Sequence, residues 1–180
     1  SIHKVIKKVS LDIVFAAQTA WQILLAAESC NNLSRFDGVK YGYRAQNFNG
    51  IDELYTTSRT EAFGDFLKKV ILFGSDTLST ENYMKVYDKA LRVRRVICEA
   101  FSKLFESCDA VVMPAVSLMS YPEALVDENK DIAFEENFYT APASITGLPA
   151  VVVGGVQLVG KAFSENSLLK VAEMYEKEGK

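Results

Sequence analysis

Apolar side chains recur at helical spacing along most of this chain, which predicts a protein built mainly of helices. A first helix is expected over Leu11–Asn32, because apolar residues keep that spacing until two asparagines end it. Shorter helices are predicted over Asp52–Thr60 and Gly64–Phe73, and Gly74 is interpreted as the C-cap of the latter. Pro142 is expected to open another helix, since proline fits the first turn of a helix and not its interior.

Two further helices are predicted together with the faces that they bury. The longer begins at Ser79 or Thr80 and runs to Ser107, and the last helix of the chain is capped by Ser164. The long helix is expected to bury Tyr83, Tyr87, Leu91, Ile97, Phe101, Leu104 and Phe105. The last helix is expected to bury Leu168, Val171, Ala172 and Tyr175. We interpret these side chains as core and not as a cofactor-binding cluster, and no cofactor is predicted.

Short apolar runs predict only a few strands. Asp109–Pro114 is an apolar run that ends in proline, which is typical of a buried strand in a mixed or parallel sheet. Ala150–Val153 and Val156–Val159 are predicted as two more strands, and Val5–Val9 as another. Ser117–Ile132 carries a proline and several acidic residues, which indicates a surface loop. Many helices with few strands place the chain in the α/β class.

Composition narrows the possible functions. The 180 residues suit one domain or one lobe of a larger one, and a hydrophobic content of 49% supplies ample core. A net charge of −3 leaves no basic face in excess, so no direct nucleic-acid binding is predicted. The longest apolar run, Ile13–Ala27, is interrupted by polar residues and is shorter than the about 20 residues that span a bilayer. We therefore predict a buried helix there and no membrane partner.

Cysteine and histidine usage excludes several mechanisms. The three cysteines have no CxxC spacing, which argues against a disulfide framework and against a metal site, and suits a reducing compartment. The only histidine is His3, at the chain start, where a mobile side chain is a poor general base. Catalysis that depends on histidine is therefore not expected.

Several blocks of sequence, in one order, resemble a single family. Residues 28–44 (ESCNNLSRFDGVKYGYR) resemble the family's EASSNLARYDGVRYGYR, and RTEAFG, beginning at Arg59, resembles RxEGFG. Lys68–Gly74 (KKVILFG) is similar to KRRILLG, Thr140–Ala150 (TAPASITGLPA) to TVPANLAGLPA, and Gln157–Phe163 (QLVGKAF) to QLIGKPF. The family is the amidase-signature family, and within it the A subunits of glutamine-dependent tRNA amidotransferases. The resemblance covers almost the whole chain.

The resemblance implies the C-terminal lobe of the amidase-signature α/β fold, a mixed sheet wrapped by helices. Residues 1–180 would then be one partial domain. That family hydrolyses amides with a Lys-Ser-Ser arrangement in a Gly/Ser-rich stretch of its N-terminal half. These 180 residues contain no such stretch, so no catalytic residue is assigned here and the catalytic half is expected to be absent from this chain. A large apolar face, or a tight partner, is expected where that half would lie.

The resemblance also implies substrate-binding residues. In the amidotransferases an arginine of the KRRI block pairs with the glutamine carboxylate, but here Val70 takes its place and Lys69 supplies the charge. An aspartate that holds the glutamine ammonium corresponds to Asn137. Each position has a structural alternative, since Lys69 could favour the helix dipole and Asn137 could cap the turn before Pro142.

Three residues of the first block are further candidates. Arg35 and Asp37 could form an ion pair that shapes the turn, or could line the entrance of a substrate pocket. Tyr41 could pack the loop or touch the ligand. A last departure from the family lies at Val153, which runs directly into Gly154 where the family carries a loop and a proline-rich turn.

Three functions remain open after these observations. The first is part of an A-subunit-like amidohydrolase, a glutaminase whose ammonia a B subunit uses to amidate misacylated tRNA, with a small C subunit joining the two. The second is a degenerate scaffold or interaction subunit, and the third is an amidase acting on a different amide. The expected location is the cytoplasm, or an organellar matrix in a eukaryote.

Overall fold

The structure is a computed structural model, and it describes residues 11–116 and 136–178. The chain divides into two compact units. The helical unit comprises Gln22–Lys89, and the sheet unit comprises Ser1–Trp21 together with Ala90–Lys180. The strand predicted at Val5–Val9 and the loop predicted at Ser117–Ile132 lie outside the described residues.

The helices follow the predicted pattern closely. The first five elements are α1 (Leu11–Leu33), α2 (Ile51–Ala62), α3 (Asp65–Thr77), a π-helical turn (Tyr83–Tyr87) and α4 (Asp88–Leu104). A 3-10 turn (Glu136–Phe138), α5 (Ala141–Thr146) and α6 (Glu165–Glu178) follow in the sheet unit. The predictions for the first three helices and for Pro142, in the first turn of α5, are confirmed.

The assignment of Gly74 as a helix end is wrong. Helix α3 continues to Thr77, and Gly74 lies buried within it. A Cβ atom on Gly74 would lie 2.1 Å from the carbonyl oxygen of Ala26 and 2.8 Å from Cβ of Cys30, both on α1. Glycine is therefore required because α3 crosses the backbone of α1 at close range, and its lower helix propensity is accepted at that point.

The long predicted helix begins later, and its buried residues match the prediction only in part. Residues 78–82 form turns, in which Asn82 donates from Nδ2 to the carboxylate of Asp76 at 3.1 Å, and the π-helical turn follows. Ala90 is buried where Leu91 was expected, because Ala90 lies seven residues before the buried Ile97 on α4, whereas Leu91 lies six before it. Ile97 and Phe101 are buried as predicted, whereas Leu91 and Tyr83 are exposed.

The sheet is small and antiparallel in its described part. Strands β1 (Ala110–Pro114), β2 (Ala150–Val153) and β3 (Val156–Gly160) are ordered β1-β3-β2, with Val112 and Val151 both opposite Leu158. The mixed or parallel sheet predicted for β1 is therefore wrong for these three strands. Parallel neighbours need a long crossover, whereas β2 and β3 are joined by only two residues.

Those two residues explain the departure from the family pattern at Val153. Gly154 and Gly155 have φ angles of 55° and 78°, which are the left-handed values that a type I′ hairpin turn requires at both positions. Glycine adopts them without the steric penalty that a side chain would bring. The chain therefore closes this connection by the shortest favourable hairpin.

Helix α6 packs on β2 and β3 and forms the core of that part of the sheet unit. Leu158, Leu168 and Ala172 are its buried centre, and Val151, Val153 and Val156 surround them. Val171 and Tyr175, predicted to be buried, are exposed. Helix α6 meets the strands along one narrow face, which carries Leu168 and Ala172, one turn apart. Val171 and Tyr175 lie beside that face and stay exposed.

Helix α1 is only partly buried. Val14, Ala17 and Ala27 are buried as the sequence predicts, whereas Phe15 is 62% exposed. By length and composition alone, Asp12–Leu33 could cross a membrane, and the core helix of a soluble protein passes the same test. Large apolar side chains are exposed in both units, with Leu72 at 71% and Phe163 at 95%. These exposures belong to separate side chains, so the large apolar face expected from the sequence stays a prediction.

Candidate functional site

The connection between α1 and α2 begins with a loop, residues 34–45, that carries three of the five candidate residues. Asp37 shapes it: Oδ1 of Asp37 accepts the backbone N–H groups of Val39 at 2.8 Å, Lys40 at 3.0 Å and Tyr41 at 3.4 Å. The bonds from Val39 and then Lys40 lower the pKa of the Asp37 carboxyl, because they stabilise its charged form. Gly38, which follows Asp37, has a φ of 73°, a left-handed value that suits the turn.

Arg35 does not pair with Asp37. Its Nε donates to the carbonyl of Asn32 at 3.0 Å, and its Nη2 donates to Oδ1 of Asn32 at 3.1 Å. Asn32 lies in the last turn of α1, whose carbonyls lack partners within the helix and attract a cation. The ion pair predicted between Arg35 and Asp37 is therefore not formed in the described structure, since each group is engaged elsewhere.

Tyr41 completes a pocket on this loop. Its ring meets the ring of Phe36 edge-on, with centroids 5.1 Å apart, and 61% of the residue is exposed. An open pocket of about 740 Å³ is lined by Asn32, Leu33, Arg35, Phe36, Asp37, Lys40 and Tyr41. The structure thus brings Arg35, Asp37 and Tyr41 together around one cavity.

Helix α2 holds the loop at both ends through Ser58 and Arg59, neither of which was a candidate site residue. Nη1 of Arg59 donates to the carbonyls of Leu33 at 3.0 Å and Phe36 at 3.1 Å. Oγ of the buried Ser58 accepts the N–H of Ala45 at 3.0 Å. The sequence did mark Arg59, as the first residue of the RTEAFG block.

Gly38 and Tyr43 make further contacts with α2. A Cβ on Gly38 would lie 2.6 Å from Oγ of Ser58, so the loop approaches the helix at a distance that only glycine permits. The hydroxyl of Tyr43 donates to Oε2 of Glu61 at 2.6 Å, and this bond to a carboxylate raises the pKa of the Tyr43 phenol. The loop is therefore docked on α2 along its length.

Lys69 lies apart from this pocket. It is exposed on α3 of the helical unit and is not among the lining residues. Its neighbour Val70, at the position of the family's arginine, is buried with 9% of its surface exposed. A valine fits that buried position without the hydrogen-bonding partners that a buried guanidinium would require.

Asn137 belongs to the sheet unit and is engaged in the turn before α5. Its Oδ1 accepts the hydroxyl of Thr140 at 3.2 Å, which is the kind of contact that the capping interpretation predicts. Gln157, which is 2% exposed on β3, donates from Nε2 to the carbonyl of Tyr139 at 2.8 Å and holds this turn against the sheet. Gln157 was not singled out from the sequence as a functional residue.

Across residues 11–116 and 136–178, His, Cys, Asp and Glu form no group of three or more that could hold a metal ion. The polar side chains of the loop instead bind backbone groups. Their arrangement fixes the loop and leaves Arg35, Lys40 and Tyr41 exposed around the open pocket.

Comparison with solved structures defines the fold. The chain resembles a crystal structure of an amidase with a TM-score of 0.64 at 17% identity, over 96% of this chain and 37% of that chain. This likeness shows the α/β fold of an amidase lobe and confirms the fold class predicted from the sequence. The Amidase family model matches residues 3–169, and the chain belongs to the Amidase family.

Curated relatives agree with the resemblance drawn from the motifs. The A subunit of the glutamyl-tRNA(Gln) amidotransferase of Clostridium botulinum (strain Okra / Type B1) is 36% identical over 183 aligned positions, covering 95% of this chain. Its counterpart in Lawsonia intracellularis (strain PHE/MN1-00) is 33% identical. The chain spans only 37% and 38% of the length of these two relatives. The alignment exceeds the 180 residues of this chain, so the relative carries internal residues that this chain lacks.

Proposed function

We propose that this chain is the substrate-side lobe of an amidohydrolase like the A subunit of the tRNA amidotransferases. Membership of the Amidase family and 36% identity to such a protein support the proposal. The observation that carries it is the pocket on the 34–45 loop, because that loop belongs to the block with the strongest family resemblance and is fixed on α2. The domain is then residues 1–180, with the catalytic Lys-Ser-Ser residues supplied outside this chain.

In this proposal glutamine is hydrolysed to release ammonia, which a B subunit uses to amidate misacylated tRNA while a C subunit joins the two. The chain itself contacts the small-molecule amide and not the nucleic acid, in keeping with its net charge of −3. It needs no cofactor or metal, and it works in the cytoplasm or an organellar matrix. No membrane takes part.

Three candidate residues of the helical unit are proposed to contact the substrate. Arg35, Asp37 and Tyr41 form one wall of the pocket entrance, and their fixed geometry favours a pre-formed site. Lys69, elsewhere in the helical unit, is proposed as a cation for the substrate carboxylate. Asn137, in the sheet unit, stays a separate candidate at the position where the relatives' motif has aspartate. Losing a buried charge-assisted contact costs about 2–5 kcal/mol of binding. Glutamine is therefore bound more weakly here, or a neutral amide is preferred.

A scaffold without activity is the second candidate, and the burial of Val70 favours it. An arginine at this position would need partners for its guanidinium, whereas the valine packs inside the helical unit. A protein that no longer binds glutamine would keep this fold for its contacts with other subunits.

Ammonia release by the full-length protein that contains this chain separates the candidates. Glutamine and a neutral aliphatic amide are compared for the wild type and for Lys69→Met. The matched control is Lys68→Met, since Lys68 is the neighbouring lysine and pairs with Asp65 at 3.7 Å on the surface of α3. We expect Lys69→Met to raise the KM for glutamine about tenfold and to leave the neutral amide unaffected. Absence of turnover with both amides supports the scaffold, and equal KM values for both variants refute the role of Lys69.

A further inference from the structure

We propose that Arg59 is a positioning residue that fixes the wall of the substrate pocket by clamping the end of α1 to the start of the 34–45 loop. The role in substrate binding rests on the proposed function, whereas the clamp itself rests on geometry alone. Arg59 lies on α2, outside the residues that line the pocket. It would therefore act through the backbone that it holds and not by touching the substrate.

The clamp consists of one nitrogen that serves two carbonyls. Nη1 of Arg59 donates to the carbonyl of Leu33, the last residue of α1, and to that of Phe36 in the loop. The guanidinium carbon lies 4.9 Å from the centre of the Phe63 ring, which holds the planar group in place by a cation–π contact. The carbonyls of Leu33 and Phe36 are thereby fixed to α2 at the point where the chain leaves α1.

These two carbonyls belong to the pocket. Leu33 and Phe36 are both lining residues, and Phe36 contacts the ring of Tyr41. The carbonyl of Leu33 also accepts the backbone N–H of Phe36 at 3.2 Å, and as one of the C-terminal carbonyls of α1 it is stabilised further by a cation. A change at Arg59 would detach two lining residues from α2 at once, although the backbone bond between Phe36 and Leu33 would remain, while the far end of the loop stays bound through Ser58.

Arginine is needed in this role because of its shape. Lysine carries the same charge on a flexible stem, but its ammonium is not planar and cannot stack on Phe63 while bridging both carbonyls in a fixed geometry. Arg59→Lys should therefore restore part of the clamp, and Arg59→Met should remove it. The control is Arg95→Met, since Arg95 is 82% exposed on α4 and pairs only at the surface with Glu99.

The test uses the full-length protein and two readouts. Amide hydrogen exchange at Val39, Lys40 and Tyr41 reports the order of the loop, and steady-state ammonia release reports KM and kcat. We expect Arg59→Met to speed exchange and to raise KM, each about tenfold, with kcat within about twofold of the wild type. The exchange rate and the KM of Arg59→Lys should lie between those of Arg59→Met and the wild type. Those of Arg95→Met should match the wild type.

The readouts separate failure of the clamp from failure of the proposed function. Unchanged exchange in Arg59→Met and Arg59→Lys refutes the clamp, whatever the activity. Faster exchange with an unchanged KM, or a loss confined to kcat, overturns the positioning role. Faster exchange in a protein whose wild type releases no ammonia supports the clamp and refutes the proposed function. If Arg59→Met does not fold, the exchange and KM of Arg59→Lys decide the matter.

Discussion

Replacement of Gly74 by alanine tests the packing that the structure assigns to the helical unit. Helix α3 crosses α1 at Gly74, where an added Cβ would lie 2.1 Å from the carbonyl oxygen of Ala26 and 2.6 Å from its carbonyl carbon. Both are backbone atoms, so no side-chain rotation can relieve the overlap. Helix α3 would have to retreat by about 1 Å to restore an ordinary contact.

Two opposing effects determine the magnitude. Alanine is favoured over glycine inside a helix by about 1 kcal/mol. Forcing an extra carbon into a packed site costs about 1–3 kcal/mol, and the high end applies where backbone must move. We therefore expect Gly74→Ala to lower the free energy of unfolding by about 2 kcal/mol. That corresponds to a fall in Tm of about 4–8 °C for a chain of this size.

Urea unfolding followed by circular dichroism measures the effect, and Gly64→Ala is the control. Gly64 has a φ of −66°, and an added Cβ there meets no atom within 4 Å. Its substitution should change stability little, because the chain-entropy gain of alanine offsets a weaker helix cap. If Gly74→Ala were as stable as Gly64→Ala, or more stable than the wild type, the close crossing of α1 and α3 would be refuted.

Three shorter predictions follow from other residues. Thr77→Val should raise the free energy of unfolding in urea by about 1 kcal/mol, since the buried Oγ1 of Thr77 has no hydrogen-bond partner among the described residues. A lower free energy of unfolding in the variant would contradict the absence of a partner. Folding lowers the pKa of the Asp37 carboxyl. Its contribution to loop order is therefore fully present at a pH above its pKa in the unfolded chain, and is lost as the pH falls through its pKa in the folded state. The NMR shifts of the Val39 and Lys40 amides should therefore titrate below about pH 4, and Asp37→Asn should abolish the titration. Gly155→Ala should cost about 1–2 kcal/mol in thermal unfolding, because φ is 78° there; an unchanged Tm would contradict the type I′ turn.

The helices could be predicted because their apolar spacing is local, but their ends depended on contacts elsewhere in the chain. Glycine is a residue type that often ends helices, yet Gly74 lies inside α3, where the backbone of Ala26 approaches closely. The π-helical turn delayed the start of α4, and within α4 the buried position is Ala90, which keeps helical spacing with Ile97, and not Leu91. Strand direction was mispredicted although the Gly154-Gly155 pair, a hairpin sequence, was visible.

The candidate site was predicted in part. Arg35, Asp37 and Tyr41 lie in one block and meet around one pocket, because a short loop keeps them close. Their partners could not be read from spacing: Arg35 turns back to Asn32, and Asp37 binds backbone N–H groups. The residues that fix the loop, Ser58 and Arg59, lie on the next helix, so only the folded arrangement reveals their role.

Glutamine-dependent ammonia release is the measurement that tests the central claim most directly. It is made on the full-length protein that contains this chain and, in parallel, on the 180-residue chain alone. The account predicts ammonia from the full-length protein and none above background from the 180 residues, because recognition lies in this lobe and the catalytic residues lie outside it. Ammonia release by the 180-residue chain alone, or none from the full-length protein with its partner subunits present, would contradict it.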